Sequence, residues 1–271
     1  MSFSKMHLLS VLAGTMLAGA GVSSALAAPI FEVTPGSLSG VTVSPFYADF
    51  VTGGSSARVV NTGGTNYSSA GYITYGQFSL ASNPIQAFES GLGSQYGLYA
   101  TFTQTFSCGS LLSPGVTCNV TGISLSLYAD VWNGSAANIN TFAGATLLAD
   151  PSVTVNGTDL LLGTADVVYA GVAGIDALGG AFENVTTNIL LTGDGMGFFT
   201  DPDPFYTFAF SNFNNTSQGI QCDTVGCVNA TVVTINSQNG GTDFNQVPEP
   251  ATLALLGLGL FGLGAVRRRR N

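Results

Sequence analysis

The feature that most constrains this chain is strict two-residue alternation. Ile123, Leu125, Leu127 and Ala129 alternate with Ser124, Ser126, Tyr128 and Asp130. Phe102, Gln104 and Phe106 alternate with Thr101, Thr103 and Thr105. Successive side chains of a strand point to opposite faces, so each run has one dry face and one wet face. Gly71 to Leu80, Phe205 to Phe210 and Ala230 to Ile235 carry the β-branched and aromatic residues that strands favour. Asn156-Gly157, between Val153–Val155 and Thr158–Leu160, predicts a hairpin turn. Helical periodicity is almost absent. One short helix is expected over Asn83–Ser90, with Asn83 as its N-cap and Pro84 in its first turn. Many short strands punctuated by Gly, Asn, Ser and Pro predict an all-β body, a single β-sandwich or jelly-roll-like domain. A pair of smaller β domains is the alternative, although no linker divides the body.

Charge is scarce and segregated. Only 8% of the 271 residues are charged. Of the six bases, Lys5 lies near the start and Arg267, Arg268, Arg269 and Arg270 near the end, leaving Arg58 alone in between. Fourteen of the fifteen acids lie in residues 28–247, so that stretch carries 1 − 14 = −13. Such a surface repels phosphate, and nucleic acid is excluded as a partner. The single histidine is His7, so residues 28–247 offer neither a histidine base nor a lysine nucleophile.

The two ends read as addresses. Lys5, the apolar run Leu8–Ala20 and the small residues Ala25, Ala27 and Ala28 form a secretory signal peptide with an A-x-A site. Cleavage is expected after Ala27. At the other end stand Pro248, Glu249 and Pro250, the apolar stretch Ala251–Val266, and Arg267–Arg270. As a helix that stretch would be roughly 24 Å long at about 1.5 Å per residue, short for a permanent span. The arginines would hold their side in the cytoplasm. Gly257, Gly259 and Gly262 match a dinucleotide-binding spacing, but inside an apolar helix with no preceding strand they form no cofactor site. Taken in order, these three parts resemble the PEP-CTERM sorting signal of Gram-negative bacteria. The resemblance implies recognition and cleavage by the membrane transpeptidase exosortase, a transient inner-membrane anchor, and delivery to the cell surface or an exopolysaccharide-containing matrix. The organisation expected is therefore a signal peptide over 1–27, a β body over 28–235, a flexible Gly/Asn-rich tether over 236–247 and a sorting signal over 248–271.

Cys108, Cys118, Cys222 and Cys227 all lie in the body. An even count in an exported chain reads as two disulfides, and four cysteines allow three pairings. Cys108–Cys118 and Cys222–Cys227 close the shortest loops and are favoured. The spacings, without histidine, do not suit zinc. Asp194, Asp201 and Asp203 crowd a Gly/Pro-rich stretch and are weak candidates for Ca²⁺, set against their ordinary use in turns; no other cofactor or metal is indicated. Trp132 ends a strand, either as a sugar-stacking ring or as a core edge. Arg58 either clamps an acidic sugar, pairs with a neighbouring carboxylate or sits in solvent. No catalytic residues stand out, and no enzymatic activity is expected.

Phe31-Glu-Val-Thr-Pro35, Gln95-Tyr-Gly-Leu-Tyr-Ala100 and Phe199-Thr-Asp-Pro-Asp-Pro-Phe-Tyr206 resemble, in order and rough spacing, the flocculation-associated PEP-CTERM proteins of floc-forming bacteria. The four cysteines fall outside that pattern. The resemblance implies a surface or matrix protein that promotes cell aggregation together with exopolysaccharide, with no catalytic residues to carry over. A carbohydrate-binding, lectin-like module of that matrix is the alternative, its partners being exopolysaccharide or cell-surface glycans.

Overall fold

The structure is a computed structural model that describes residues 29–215 and 219–245. The signal-peptide residues Ala25, Ala27 and Ala28, the Pro248–Pro250 motif and Arg267–Arg270 lie outside the described residues. Among those that are described, no helix is long and apolar enough to cross a membrane.

Nine strands build the body: β1 (Phe50–Gly63), β2 (Asn66–Leu80), β3 (Tyr96–Cys108), β4 (Thr117–Val131), β5 (Thr158–Ala165), β6 (Val168–Ile175), β7 (Ala181–Asn188), β8 (Phe208–Asn214) and β9 (Val232–Asn245). Each pairs antiparallel with the next, except that β5 and β6 succeed one another along the same edge of β4. β4 meets β6 at Asn119↔Val172 and Cys118↔Ala173. β9 returns to β1 through the run from Val232↔Val60 to Thr242↔Val51. The sheet thereby closes on itself as an eight-stranded up-and-down barrel, β1-β2-β3-β4-β6-β7-β8-β9. The all-β expectation holds. The sandwich or jelly roll is corrected to a barrel, because β6 and β5 both find β4 and β9 returns to β1, so the eight-stranded ring closes.

Alternation decides which side faces inward. Leu98, Ala100, Phe102, Gln104 and Phe106 of β3 line the lumen, while Thr103 and Thr105 face out. Inside apolar and outside hydroxyl-rich is the reverse of a barrel that faces lipid. An eight-stranded interior is just wide enough for side chains to fill.

Two plugs close the ends. At one end Phe31–Val33 pairs with Phe46–Ala48 on one side and with Phe199–Asp201 on the other. This small sheet carries Phe31 and Val33, each fully buried, onto Val51, Phe78, Leu98 and Phe244 of the barrel. At the other end the loop after β3 folds inward. The Tyr67 hydroxyl donates to the Ala230 carbonyl (2.8 Å) and accepts from the Leu112 amide (2.9 Å). The Cys108–Cys118 disulfide joins directly paired residues of β3 and β4 beside it.

Three local expectations change. The stretch read as a tether, 236–247, is ordered strand through Asn245, hydrogen-bonded to β8 on one side and β1 on the other. Its polar composition misled because a bulge at Ser237 (φ 63°) turns Gln238, Gly240 and Thr242 inward, where the lumen is polar or crowded. The short helix is α1 (Ala87–Ser90), capped by Gln86, whose amide donates to the Glu89 carboxylate (3.1 Å); Asn83–Pro84 instead bridges to β2. Asn156-Gly157 makes no hairpin: Ser152–Thr154 pairs back to Thr141–Ala143, and β5 pairs with β4. The Asn156 amide is taken by Asn140 Oδ1 instead (2.9 Å).

Candidate functional site

The lumen is not uniformly apolar. Between its two apolar ends runs a polar waist. Ser69 Oγ donates to Gln104 Oε1 (3.3 Å), and Gln104 Nε2 donates to Glu183 Oε1 (2.7 Å). Ser55 Oγ donates to Gln238 Oε1 (3.0 Å), and Tyr75 and Ser211 meet on the Thr242 hydroxyl (3.2 and 2.9 Å). Around Ser55, Ser69, Gln104, Glu183 and Gln238 the space is a cavity of about 60 Å³, lined also by Phe102, Ile123 and Phe213. That volume suits a few waters and falls far short of a roughly 300–1,000 Å³ ligand pocket. The lumen is therefore a packed interior that encloses one carboxyl group.

Burial raises the Glu183 pKa above the ordinary 4.5 of a glutamate, and the Gln104 hydrogen bond only partly opposes this. The folded chain then holds the proton at pH values where the unfolded chain has released it. Glu183 costs nothing below about pH 4.5, and stability falls as the pH rises through its raised value. Glu183→Gln keeps the shape without the charge. It should match the wild type at pH 4 and melt roughly 2–4 °C higher at pH 7, the shift that about 1 kcal/mol produces in a domain this size. Equal melting temperatures at both pH values would show that the carboxyl group is solvated like a surface one.

Outside the barrel, residues 132–157 form a strap across the wall. Arg58, the one base of the body, holds it: Nε and Nη2 donate to the Leu147 carbonyl (3.2 and 3.0 Å), and Nη1 pairs with Asp150 (3.1 Å). The carboxylate-pairing reading of Arg58 is the one observed. Ala145 is caught between Ser56 and Asn236, and Phe142 packs on Tyr72 and Tyr99. Beneath the strap lie two facing carboxylates, Asp130 and Asp159. Asp130 Oδ2 accepts from Trp132 Nε1 (2.9 Å) and the Asn140 amide (3.0 Å), while Asn140 Nδ2 and the Tyr99 hydroxyl serve Asp159. Burial first, and Asp159 second, raise the Asp130 pKa. Trp132 is thus half-buried and tied to a carboxylate, the core-edge reading of its two. Arg58→Met should free the strap without unfolding the barrel. Hydrogen exchange over 141–155 should rise at least tenfold while β3 stays protected; unchanged exchange would show that the Ala145, Asn140 and Phe142 contacts hold the strap without Arg58.

Of the calcium candidates, Asp194 sits in the first turn of α2 (Gly193–Phe198), which Thr192 caps by accepting from the Gly195 amide (3.1 Å). Asp201 lies opposite Glu32 in the end plug, and Asp203 stands between Pro202 and Pro204. All three are exposed and serve separate turns and strands. Among the described residues no group of three or more His, Cys, Asp or Glu side chains is placed to hold a metal ion. Both favoured disulfides, Cys108–Cys118 and Cys222–Cys227, are present.

Sequence reading passed over one feature altogether. The outer wall of β8, β9, β1 and β2 is a shallow open trough of about 720 Å³, where Gly54 and Gly76 leave the backbone bare near Thr52 and Gln77 and the buried Gly241 lies under the Phe50 ring beside Asn212. The scattered glycines are the signal, legible only once strand register brings them side by side.

Residues 246–270 match the PEP-CTERM protein-sorting motif. The motif indicates an exosortase-targeted surface protein and implies export with a membrane-anchored sorting signal. No curated protein and no solved structure matches the chain. The likeness of the body to flocculation-associated proteins therefore rests on its short motifs alone.

Proposed function

We propose that this protein is exported, trimmed by exosortase, and retained at the cell surface or in the extracellular matrix, where it promotes cell aggregation together with exopolysaccharide and without catalysis. The observation that carries the reading is the sorting motif at residues 246–270, placed one residue beyond a closed β barrel that ends at Asn245. The barrel is a rigid anionic block, and the motif is the part that directs where it goes. A closed barrel with plugged ends and a lumen of about 60 Å³ suits a scaffold better than a reaction vessel. The carbohydrate-binding reading is the second, favoured by the amide-lined outer trough.

Gene deletion should abolish flocs. The intact chain should restore them, whereas a chain truncated after Asn245 and a Pro248→Ala/Pro250→Ala variant should not. Full restoration by the truncated, freely secreted form would overturn the proposed role of the sorting signal. Flocs unaffected by deletion would overturn the aggregation role itself.

A further inference from the structure

We propose that the outer face formed by β8, β9, β1 and β2 binds a neutral polysaccharide chain laid across the strands. The inference rests on the carbohydrate-binding reading above and assigns it to a site. Strand register sets one outward residue of each strand side by side: Asn212↔Gly241, Gly241↔Thr52 and Thr52↔Gln77. Asn184 of β7 extends the row, pairing with Asn212 and accepting a hydrogen bond from its Nδ2. That bond leaves Asn212 Oδ1 and Asn184 Nδ2 for a ligand, and the exposed Gln77 amide has no partner among the described residues. Each amide both donates and accepts, as vicinal sugar hydroxyls require. From Asn184 to Gln77, four inter-strand steps of about 4.8 Å each make a row of about 19 Å, the reach of several linked sugars and not of one.

One ring lies on the row and others stand beside it. A Cβ at Gly241 would come within 2.4 Å of the Phe50 ring, so the glycine exists to let that ring lie on the wall. Phe210, next to Asn212 on the outward side of β8, is 37% exposed. Beyond it Tyr169, 54% exposed, packs on Phe208 with ring centroids 4.4 Å apart. Exposed rings on a polar wall offer apolar surface to the C–H faces of sugars.

Charge selects within that chemistry. Asp243 sits opposite Phe210 at the edge of the face, and Arg58 is committed to the strap. A polyanion meets only repulsion, so the occupant is uncharged.

The test is affinity electrophoresis of the disulfide-intact body, residues 28–247, in gels containing dextran, galactomannan or hydroxyethyl cellulose as neutral probes and alginate as the anionic one. At least one neutral polymer should retard the wild type, and alginate should not. Asn212→Ala/Gln77→Ala and, separately, Phe210→Ala should each weaken that retardation at least tenfold. Leu178→Ala, exposed at the β6–β7 turn, should leave it intact, with wild-type melting temperatures confirming folded variants. Retardation that survives both face variants would overturn this assignment while leaving the carbohydrate-binding reading standing. No retardation by any neutral polymer would overturn both, and equal retardation by alginate would overturn the argument from charge.

Discussion

Phe31→Ala should destabilise the body by about 3–5 kcal/mol, the cost of removing a buried aromatic ring that its surroundings cannot collapse to fill. Phe31 is fully buried and sits edge-on to four rings, Phe78, Phe199, Phe205 and Phe244, with centroids 5.2 to 6.5 Å away. Those partners come from the barrel wall and from the segment after α2, so one truncation loosens three parts of the chain at once. The residue also lies only four positions beyond the expected cleavage after Ala27. Removal of the leader would leave Pro29 and Ile30 free to lead into the plug. The Ile30 carbonyl already accepts from the Tyr206 hydroxyl (2.8 Å). Urea unfolding of the body with and without the substitution measures the loss. A change below about 1 kcal/mol would show that Phe31–Val33 lies on the barrel as an ornament and does not close it. A neighbouring control is Tyr47→Ala, whose ring on the same small sheet is about half exposed and should cost little.

How much of this was legible in the sequence follows from which forces act locally. Alternation in β3 and β4 identified lumen and wall residues correctly, because burial on one face is written into each strand on its own. Closure was not legible. Ile123 and Leu125 read equally well as the inner face of a sandwich or the inner wall of a barrel, and the choice lies in whether Cys118 and Asn119 find β6. That pairing spans more than fifty residues and leaves no periodic mark. The second half of β9 was missed for a related reason. Asn236, Ser237, Asn239, Gly240 and Gly241 carry turn composition, yet two flanking strands satisfy their backbone groups and override propensity. The same glycines line the trough, so the residues that hid the strand also shape the outer face. The disulfides were legible because short loops and an even count leave few alternatives. Their partners in chemistry were not: the buried pair Glu183–Gln104 joins residues on β7 and β3 that share no motif.

Reducing both disulfides should lower stability by about 4–5 kcal/mol, about 2.7 for a loop of ten residues and about 2 for one of five on the chain-entropy account. The sequence separations are 10 for Cys108–Cys118 and 5 for Cys222–Cys227. For a body of this size that corresponds to a melting temperature roughly 10–15 °C lower. The first bond dominates for a structural reason as well. It lies beside Tyr67, Leu112 and Ala230 and fixes the loop that seals that end. The second only closes the turn from the flap Ile220–Cys222, which pairs with β9, to the adjoining Val225–Cys227. Cys108→Ser/Cys118→Ser should therefore account for more than half of the loss, and Cys222→Ser/Cys227→Ser for the remainder. Thermal melts with and without a reductant, on the wild type and on both pairs, separate the two contributions. A melting temperature indifferent to reductant would mean that packing alone closes the end. The expected result ties stability to destination: thiols form these bonds only in an oxidising compartment, so the barrel reaches its full stability after export, where the sorting motif at residues 246–270 directs it.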